Sequence, residues 1–297
     1  MQRLTIAFRF IEACFSLAFK DTRLQKTWLL SGLGGLILFI LGAIPLMLTA
    51  GLIGLNPVGL ILLGLLSILI AFGLLVWVNL VGLQVSQAFA AVIRGADESL
   101  PPVESHEDVL ITHGLDGLLF ILAEPGLTLL RLFQQLFKKN QTDQPDWFDA
   151  HYLTIPVISL EGRNLTQTVA RIKQIIGDNL LRFQADLIQV KTVARIVQWG
   201  MMVGGILLGF VIGFKIADPW AGGAWRRAWA AAAGLLVAGL PAFLGAFFHA
   251  FTVTCYHTAL YQWVINVESA LELGETKAAP PEILRQVMGK NPSTKEE

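Results

Sequence analysis

Apolar residues run almost without interruption from Thr27 to about Ile53 and again from Val58 to about Leu83, with no charged side chain in either stretch. Each stretch exceeds the roughly 20 residues that an α-helix needs to cross a hydrocarbon core. Asn56-Pro57 separates them, and proline suits the first turn of a new helix, so the pattern predicts a tight helical hairpin. Two further runs, Trp199 to about Phe214 and Ala228 to about Val253, flank a link that carries Lys215, Asp218, Pro219 and Arg226-Arg227. The last helix is expected to continue through Cys255, His257, Tyr261 and Trp263 to about Glu272. The expected fold class is an all-α integral membrane protein with four transmembrane helices arranged as two hairpins and amphipathic cytoplasmic-side helices inserted between them.

Between and before these runs the pattern turns amphipathic. In residues 1–26, Arg9, Glu12, Ser16 and Lys20 share one helical stripe. Ile6, Phe10, Ala13 and Leu17 form the opposing stripe, with Phe8, Phe15 and Phe19 beside it. Such a helix lies on the inner membrane surface or packs against the insert. Val109–Leu122 is too short to span and carries His113 and Asp116, which suggests a buried or re-entrant helix. Leu127–Lys139 reads as a further amphipathic helix and Asn140–Asp149 as a polar linker. The most regular stripe passes through Val169, Ile172, Ile176, Leu180, Phe183, Leu187, Val190, Ala194 and Val197. It predicts one long amphipathic helix over 165–196, with Arg171, Gln174 and Asp178 on its water-facing side and with Ile176, Phe183, Leu187 and Val190 buried against protein. Its partner is taken to be the 127–139 helix, the N-terminal helix or a second subunit. The division expected is 1–26 N-terminal helix, 27–83 first hairpin, 84–196 insert, 197–272 second hairpin and 273–297 flexible cytoplasmic tail.

Charge supplies an orientation. Nineteen Lys and Arg residues fall before the first span, in the insert or after the last span, against Lys215, Arg226 and Arg227 in the link between spans three and four. The positive-inside bias places both termini and the insert in the cytoplasm. Localisation is expected in the plasma membrane of a prokaryote, as a multi-pass chain in the cell inner membrane. Over the whole chain, 54% of residues are hydrophobic, only 15% are charged and the formal net charge is 0. That balance excludes a basic nucleic-acid binder and an acidic disordered chain. Two cysteines, Cys14 and Cys255, allow at most one bridge, and both sit in apolar helical sequence. Charged residues at 9, 12 and 20 interrupt the first apolar stretch, so no cleaved signal peptide is expected.

Candidate chemistry is sparse. No HExxH, CxxC, GxSxG or dinucleotide fingerprint is present, and no metal or cofactor is expected. The one polar concentration at membrane depth is His249, Thr252, Tyr256, His257 and Tyr261, accompanied by Thr254 and Thr258. Polar side chains there face protein or a water-filled cavity, so the cluster serves either interhelical hydrogen bonding or a polar path. Asp116, Glu124, Glu161 and Glu268 are the carboxylates closest to apolar sequence, and nothing in their spacing pairs them.

Around Tyr152-Leu153-Thr154-Ile155-Pro156-Val157-Ile158-Ser159-Leu160-Glu161 the chain resembles a group of uncharacterised prokaryotic polytopic membrane proteins, related distantly to the membrane domain that accompanies some glycerophosphodiesterases. Pro156, Glu161 and Arg171 match that pattern, while Leu165-Thr166 stands where the group has Gly-Pro. The stretch Tyr256–Tyr261 is similar to the group's last span. The resemblance implies an α-helical inner-membrane fold and no activity. The function expected is that of a non-enzymatic integral membrane scaffold or assembly subunit. The alternative is a transporter or channel subunit with a polar path near His249–Tyr261. Expected partners are membrane lipid and a homo-oligomer or other membrane subunits, with no nucleic acid.

Overall fold

Asp21 divides what would otherwise be one N-terminal helix. Its carboxylate accepts hydrogen bonds from the backbone N–H groups of Arg23 (2.8 Å) and Leu24 (3.1 Å), closing off helix α1 (Gln2–Lys20) and starting helix α2 (Thr22–Leu52) one residue later. Asn56 does the same for α3 (Pro57–Arg94), its side-chain oxygen accepting from Gly59 N–H at 2.7 Å with Pro57 as the first helical residue. The computed structural model describes residues 2–53, 56–95, 113–120, 147–178, 180, 189–216, 223–274 and 280–288. The remaining elements are a helix α4 over 113–120, a 3-10 helix Trp147–Leu153, α5 (Thr154–Glu161), α6 (Leu165–Gly177), α7 (Gln189–Ile216), α8 (Ala224–Glu272) and α9 (Glu282–Met288). Among the described residues there are no strands. Four helical segments, Thr22–Leu52, Pro57–Arg94, Val190–Ile212 and Ala233–Glu272, are long and apolar enough to cross a membrane.

The helices outrun the charge-free stretches from which they were expected. α2 starts before Thr27, and α3 continues past Leu83, with the Ser86 hydroxyl bonded to Thr258 and the Gln87 Nε2 donating to the Ser159 carbonyl in the interior. The amphipathic stripe over 165–196 does not form one helix. α6 stops at Gly177, where the N–H of Leu180 reaches back to the carbonyl of Ile175 (3.1 Å) and buried Leu180 seals the turn, a six-to-one closure typical of helix C-termini. The buried face is also rotated. Thr168, Arg171, Ile172 and Ile175 are buried, whereas Ile176 is only half-buried. Val190 is buried in α7; Phe183 and Leu187 lie outside the described residues, as do the 127–139 helix and most of the 140–149 linker. Among the described residues α6 packs against α5 and the 3-10 helix.

The chain divides into two compact units. One unit comprises 29–78 and 192–250, and there α7 and α8 run antiparallel in close approach. A Cβ on Gly209 would lie 2.5 Å from the Gly234 carbonyl oxygen and 2.6 Å from the Ala238 Cβ, and one on Gly205 2.7 Å from the Ala238 oxygen. Small residues let the backbones meet where lipid offers no hydrophobic driving force between helices. The Trp77 indole N–H donates to the Ser31 carbonyl (2.9 Å), tying α3 to α2.

The other unit comprises 1–28, 79–191 and 251–297. Here α1 buries Ala7, Phe10, Cys14 and Ala18, a seam one residue round from the expected Ile6, Phe10, Ala13, Leu17 stripe. Small residues on that seam admit α8 closely. Phe10 meets Tyr256 edge-on (5.5 Å), Phe15 meets Phe251 (5.2 Å), and α9 packs against α1.

Gly209→Ala should lower stability in detergent by about 1–3 kcal/mol, because the added methyl meets backbone that cannot yield without parting the helices. Gly204→Ala, with open space at its Cβ, should leave the melting temperature within error of wild type.

Candidate functional site

The residues that gather chemistry all lie in the unit that holds α5, α6 and the C-terminal part of α8. Gly162 ends α5 in the left-handed region (φ 60°), a conformation glycine adopts without a Cβ penalty. Two residues later Asn164 caps α6. Its side chain accepts from Gln167 N–H (2.9 Å) while the Gln167 side chain accepts from Asn164 N–H (3.3 Å), a reciprocal capping box. The Asp116 carboxylate of α4 adds a third anchor by accepting from Leu165 N–H (3.2 Å), where a negative group also suits the helix dipole. This stiff joint folds α6 back so that Arg171 returns to Glu161.

Arg171 is 7% exposed and has nearly all its donors engaged. Its Nε donates to Glu161 Oε1 (3.1 Å), its Nη1 to Glu268 Oε1 (2.7 Å) and Gln174 Oε1 (3.3 Å), and its Nη2 to Glu268 Oε2. The pairing with Glu268 is the two-pronged geometry that a planar guanidinium matches to a carboxylate. Glu161 also accepts from the Tyr261 hydroxyl and pairs with Arg163. Hydrogen bonding to Glu268, only partly opposed by burial, holds the Arg171 guanidinium charged well above the ordinary arginine range. Two carboxylates and two guanidinium groups leave the cluster formally neutral.

Above it lies a chain of hydroxyls. Ser159 Oγ donates to Ser86 Oγ (2.8 Å), Ser86 and Thr258 share a hydrogen bond of 2.8 Å, and Thr258 Oγ1 donates to the Thr254 carbonyl (2.8 Å). Gln87 Nε2 donates to the Ser159 carbonyl (3.1 Å), and Arg94 Nε to Gln262 Oε1 (3.3 Å). Three side-chain atoms in this interior, Thr252 Oγ1, Gln87 Oε1 and Gln262 Nε2, have no protein hydrogen-bond partner among the described residues. Tyr152 packs against His257 with the ring planes tilted by 41° (centroids 4.9 Å apart), and burial pushes its phenol up to about 12. The phenol therefore stays neutral in the fold and contributes stability that is lost as pH rises from about 10 towards 12. Cys14 and Cys255 lie side by side and buried, and burial, then the adjacent thiol, raises the Cys14 thiol well above its ordinary value.

The expected site residues thus distribute unevenly. Tyr261, from the polar cluster, joins Glu161 and Arg171, from the stretch that carried the resemblance. Pro156 is buried one turn before Glu161 in α5. Thr252 and Tyr256 are buried and His257 is half-buried in α8; His249 is half-buried and belongs to the other unit. Arg171, expected on a water-facing back, is instead the centre of the cluster. Glu268, left unpaired in the sequence, is its principal partner, and Ser86, Gln87, Ser159 and Gln262 were not anticipated. A signal for the α8 side existed: Thr254, Thr258, Tyr261 and Glu268 recur at 4, 3 and 7 residues, one polar stripe on one helix. Among the described residues no group of three His, Cys, Asp or Glu side chains is placed to hold a metal.

No family model, curated protein or solved structure matches the chain.

Removing the guanidinium leaves two carboxylates facing each other in a largely buried place. Arg171→Ala should cost about 3–5 kcal/mol, the usual penalty for stranding a buried charge, read as a large drop in melting temperature in detergent. Arg171→Lys should recover only part of it, because a single ammonium cannot span both oxygens of Glu268.

Proposed function

We propose that this chain is a non-enzymatic integral membrane scaffold or assembly subunit. Its four long apolar helices form two hairpins across the plasma membrane of a prokaryote, with both termini and the α4–α6 region on the cytoplasmic side. The helix pairs α2–α3 and α7–α8 support the hairpins, and the nineteen-to-three distribution of basic residues supports the orientation. The observation that carries the scaffold reading is the closure of the polar cluster on itself. Arg171, Glu161, Glu268 and Tyr261 bond to one another, and Ser86, Ser159 and Thr258 form a second chain among themselves. A charge-balanced, interlocked interior stiffens a platform; a conduction path requires polar groups open to water. The cytoplasmic-side surface of that platform is the part available to other membrane subunits or to a second copy.

A transporter or channel subunit is the second reading. It is favoured by Thr252 Oγ1, Gln87 Oε1 and Gln262 Nε2, buried polar atoms with no protein partner among the described residues, which suit a solute or ordered water.

Orientation is tested with single cysteines in a Cys14→Ala/Cys255→Ala background. Asn56→Cys and Gly223→Cys should react with an impermeant maleimide added outside intact cells, and Gln174→Cys and Gln286→Cys only after permeabilisation. External labelling at residue 174 would overturn the topology. For the scaffold itself, mild-detergent purification from native membranes should yield a stoichiometric second chain or a homo-oligomer. A lone monomer whose proteoliposomes conduct a solute, with conduction abolished by Gln87→Leu, would replace the scaffold with the transport reading.

A further inference from the structure

Helix α1 presents two apolar faces, one buried in the fold and one largely exposed among the described residues. The seam Ala7, Phe10, Cys14, Ala18 is buried. About a quarter-turn round the helix, Leu4, Phe8 and Phe19 stand 49%, 58% and 61% exposed, with Ile11 and Phe15 half-buried between them. Their spacing of 4, 3, 4 and 4 makes one continuous strip the length of the helix. Three large apolar side chains at this exposure are out of place against water.

Three observations identify what covers the strip. The first is position: Phe19, at the end of the strip, meets Trp28 edge-on at 5.6 Å. Trp28 heads the charge-free run of α2, and tryptophan is the residue type favoured at the headgroup boundary. The second is charge. Arg9, Lys20, Arg23 and Lys26 are all exposed; against them stand exposed Glu12 and half-buried Asp21, whose carboxylate is committed to the N–H groups of Arg23 and Leu24. The third is fixation: the ring contacts of Phe10 with Tyr256 and of Phe15 with Phe251 hold the helix in one rotational setting, so the strip keeps one direction. An apolar strip on a helix whose solvent side carries Arg9 and Lys20, joined through Arg23 and Lys26 to the start of an apolar helix long enough to span a membrane, has the chemistry of an interfacial anchor. We propose that α1 lies in the headgroup region of the membrane, with Leu4, Phe8 and Phe19 in the acyl boundary and the basic residues on anionic lipid phosphates.

The inference is independent of whether the protein is a scaffold or a transporter. Its test is spin labelling of the full-length chain, with Cys14 and Cys255 replaced by alanine, in proteoliposomes. Single labels at Phe8→Cys, Phe19→Cys and Leu4→Cys should show a several-fold higher ratio of oxygen to nickel-chelate accessibility than a label at Glu12→Cys. The ratio at residue 8 should rise when phosphatidylglycerol is added to phosphatidylcholine vesicles, and the rise should disappear in Lys20→Glu/Arg23→Glu. Ratios at 8 and 19 equal to that at 12 would place the strip in water. Low accessibility to both reagents would place it under another protein chain. Either result overturns the proposal, and a ratio indifferent to phosphatidylglycerol overturns the selectivity for anionic lipid.

Discussion

Everything in the α5–α6 region depends on one buried guanidinium. Taking Arg171 out of water carries a desolvation cost of several kcal/mol, repaid only when its donors meet acceptors in good geometry. The structure meets that condition from three directions: Glu161 at the end of α5, Gln174 one turn along α6, and Glu268 from the far end of α8. Because the three acceptors come from separate places in the sequence, the pairing is a constraint on the whole arrangement. Shifting α6 by one turn would bring a different residue to Glu268 and leave Arg171 without its bidentate partner.

The constraint explains why the joint between α5 and α6 is so heavily specified. Gly162 in the left-handed region, the Asn164–Gln167 capping box and Asp116 on the Leu165 N–H all act within residues 162–167. Each satisfies backbone groups that would otherwise be orphaned at a helix end. Together they fix the angle at which α6 leaves, and the side-chain network inherits its geometry from that angle. The hydroxyl chain through Ser159, Ser86 and Thr258 extends the same logic towards α3 and α8: small polar groups pair in the interior without the penalty of an isolated charge.

What could be seen in the sequence divides along physical lines. The four long apolar helices were legible because membrane crossing demands a contiguous property, an unbroken run of about 20 apolar residues. Asn56-Pro57 was legible because capping is local chemistry. The 165–196 helix was misjudged for the opposite reason. A stripe of period near 3.6 persists whether or not the backbone continues, and the apolar periodicity outweighed the local stop at Gly177-Asp178, where the Leu180 N–H closes back on Ile175. In the sequence pattern Arg171 falls opposite the apolar stripe, with Gln174 and Asp178, and so reads as water-facing. Its burial is decided by Glu268, 97 residues away. On α1 the seam turned out to be built from Ala7, Cys14 and Ala18, since close packing selects small residues over the large apolar ones that dominate a hydrophobic profile.

The position of Cys14 against Cys255 has a kinetic consequence. Both thiols are interior, they are the chain's full complement, and they sit on the two sides of the contact between α1 and α8. Neither meets an aqueous reagent while that contact holds, so the native protein carries its own reporter of helix detachment. When closing outpaces chemistry, the rate at which the thiols are alkylated measures the population of the opened state; when alkylation is faster, it measures the opening rate itself. The free energy that holds α1 in place can thus be followed in the native membrane by the mass of the alkyl adduct, with no substitution.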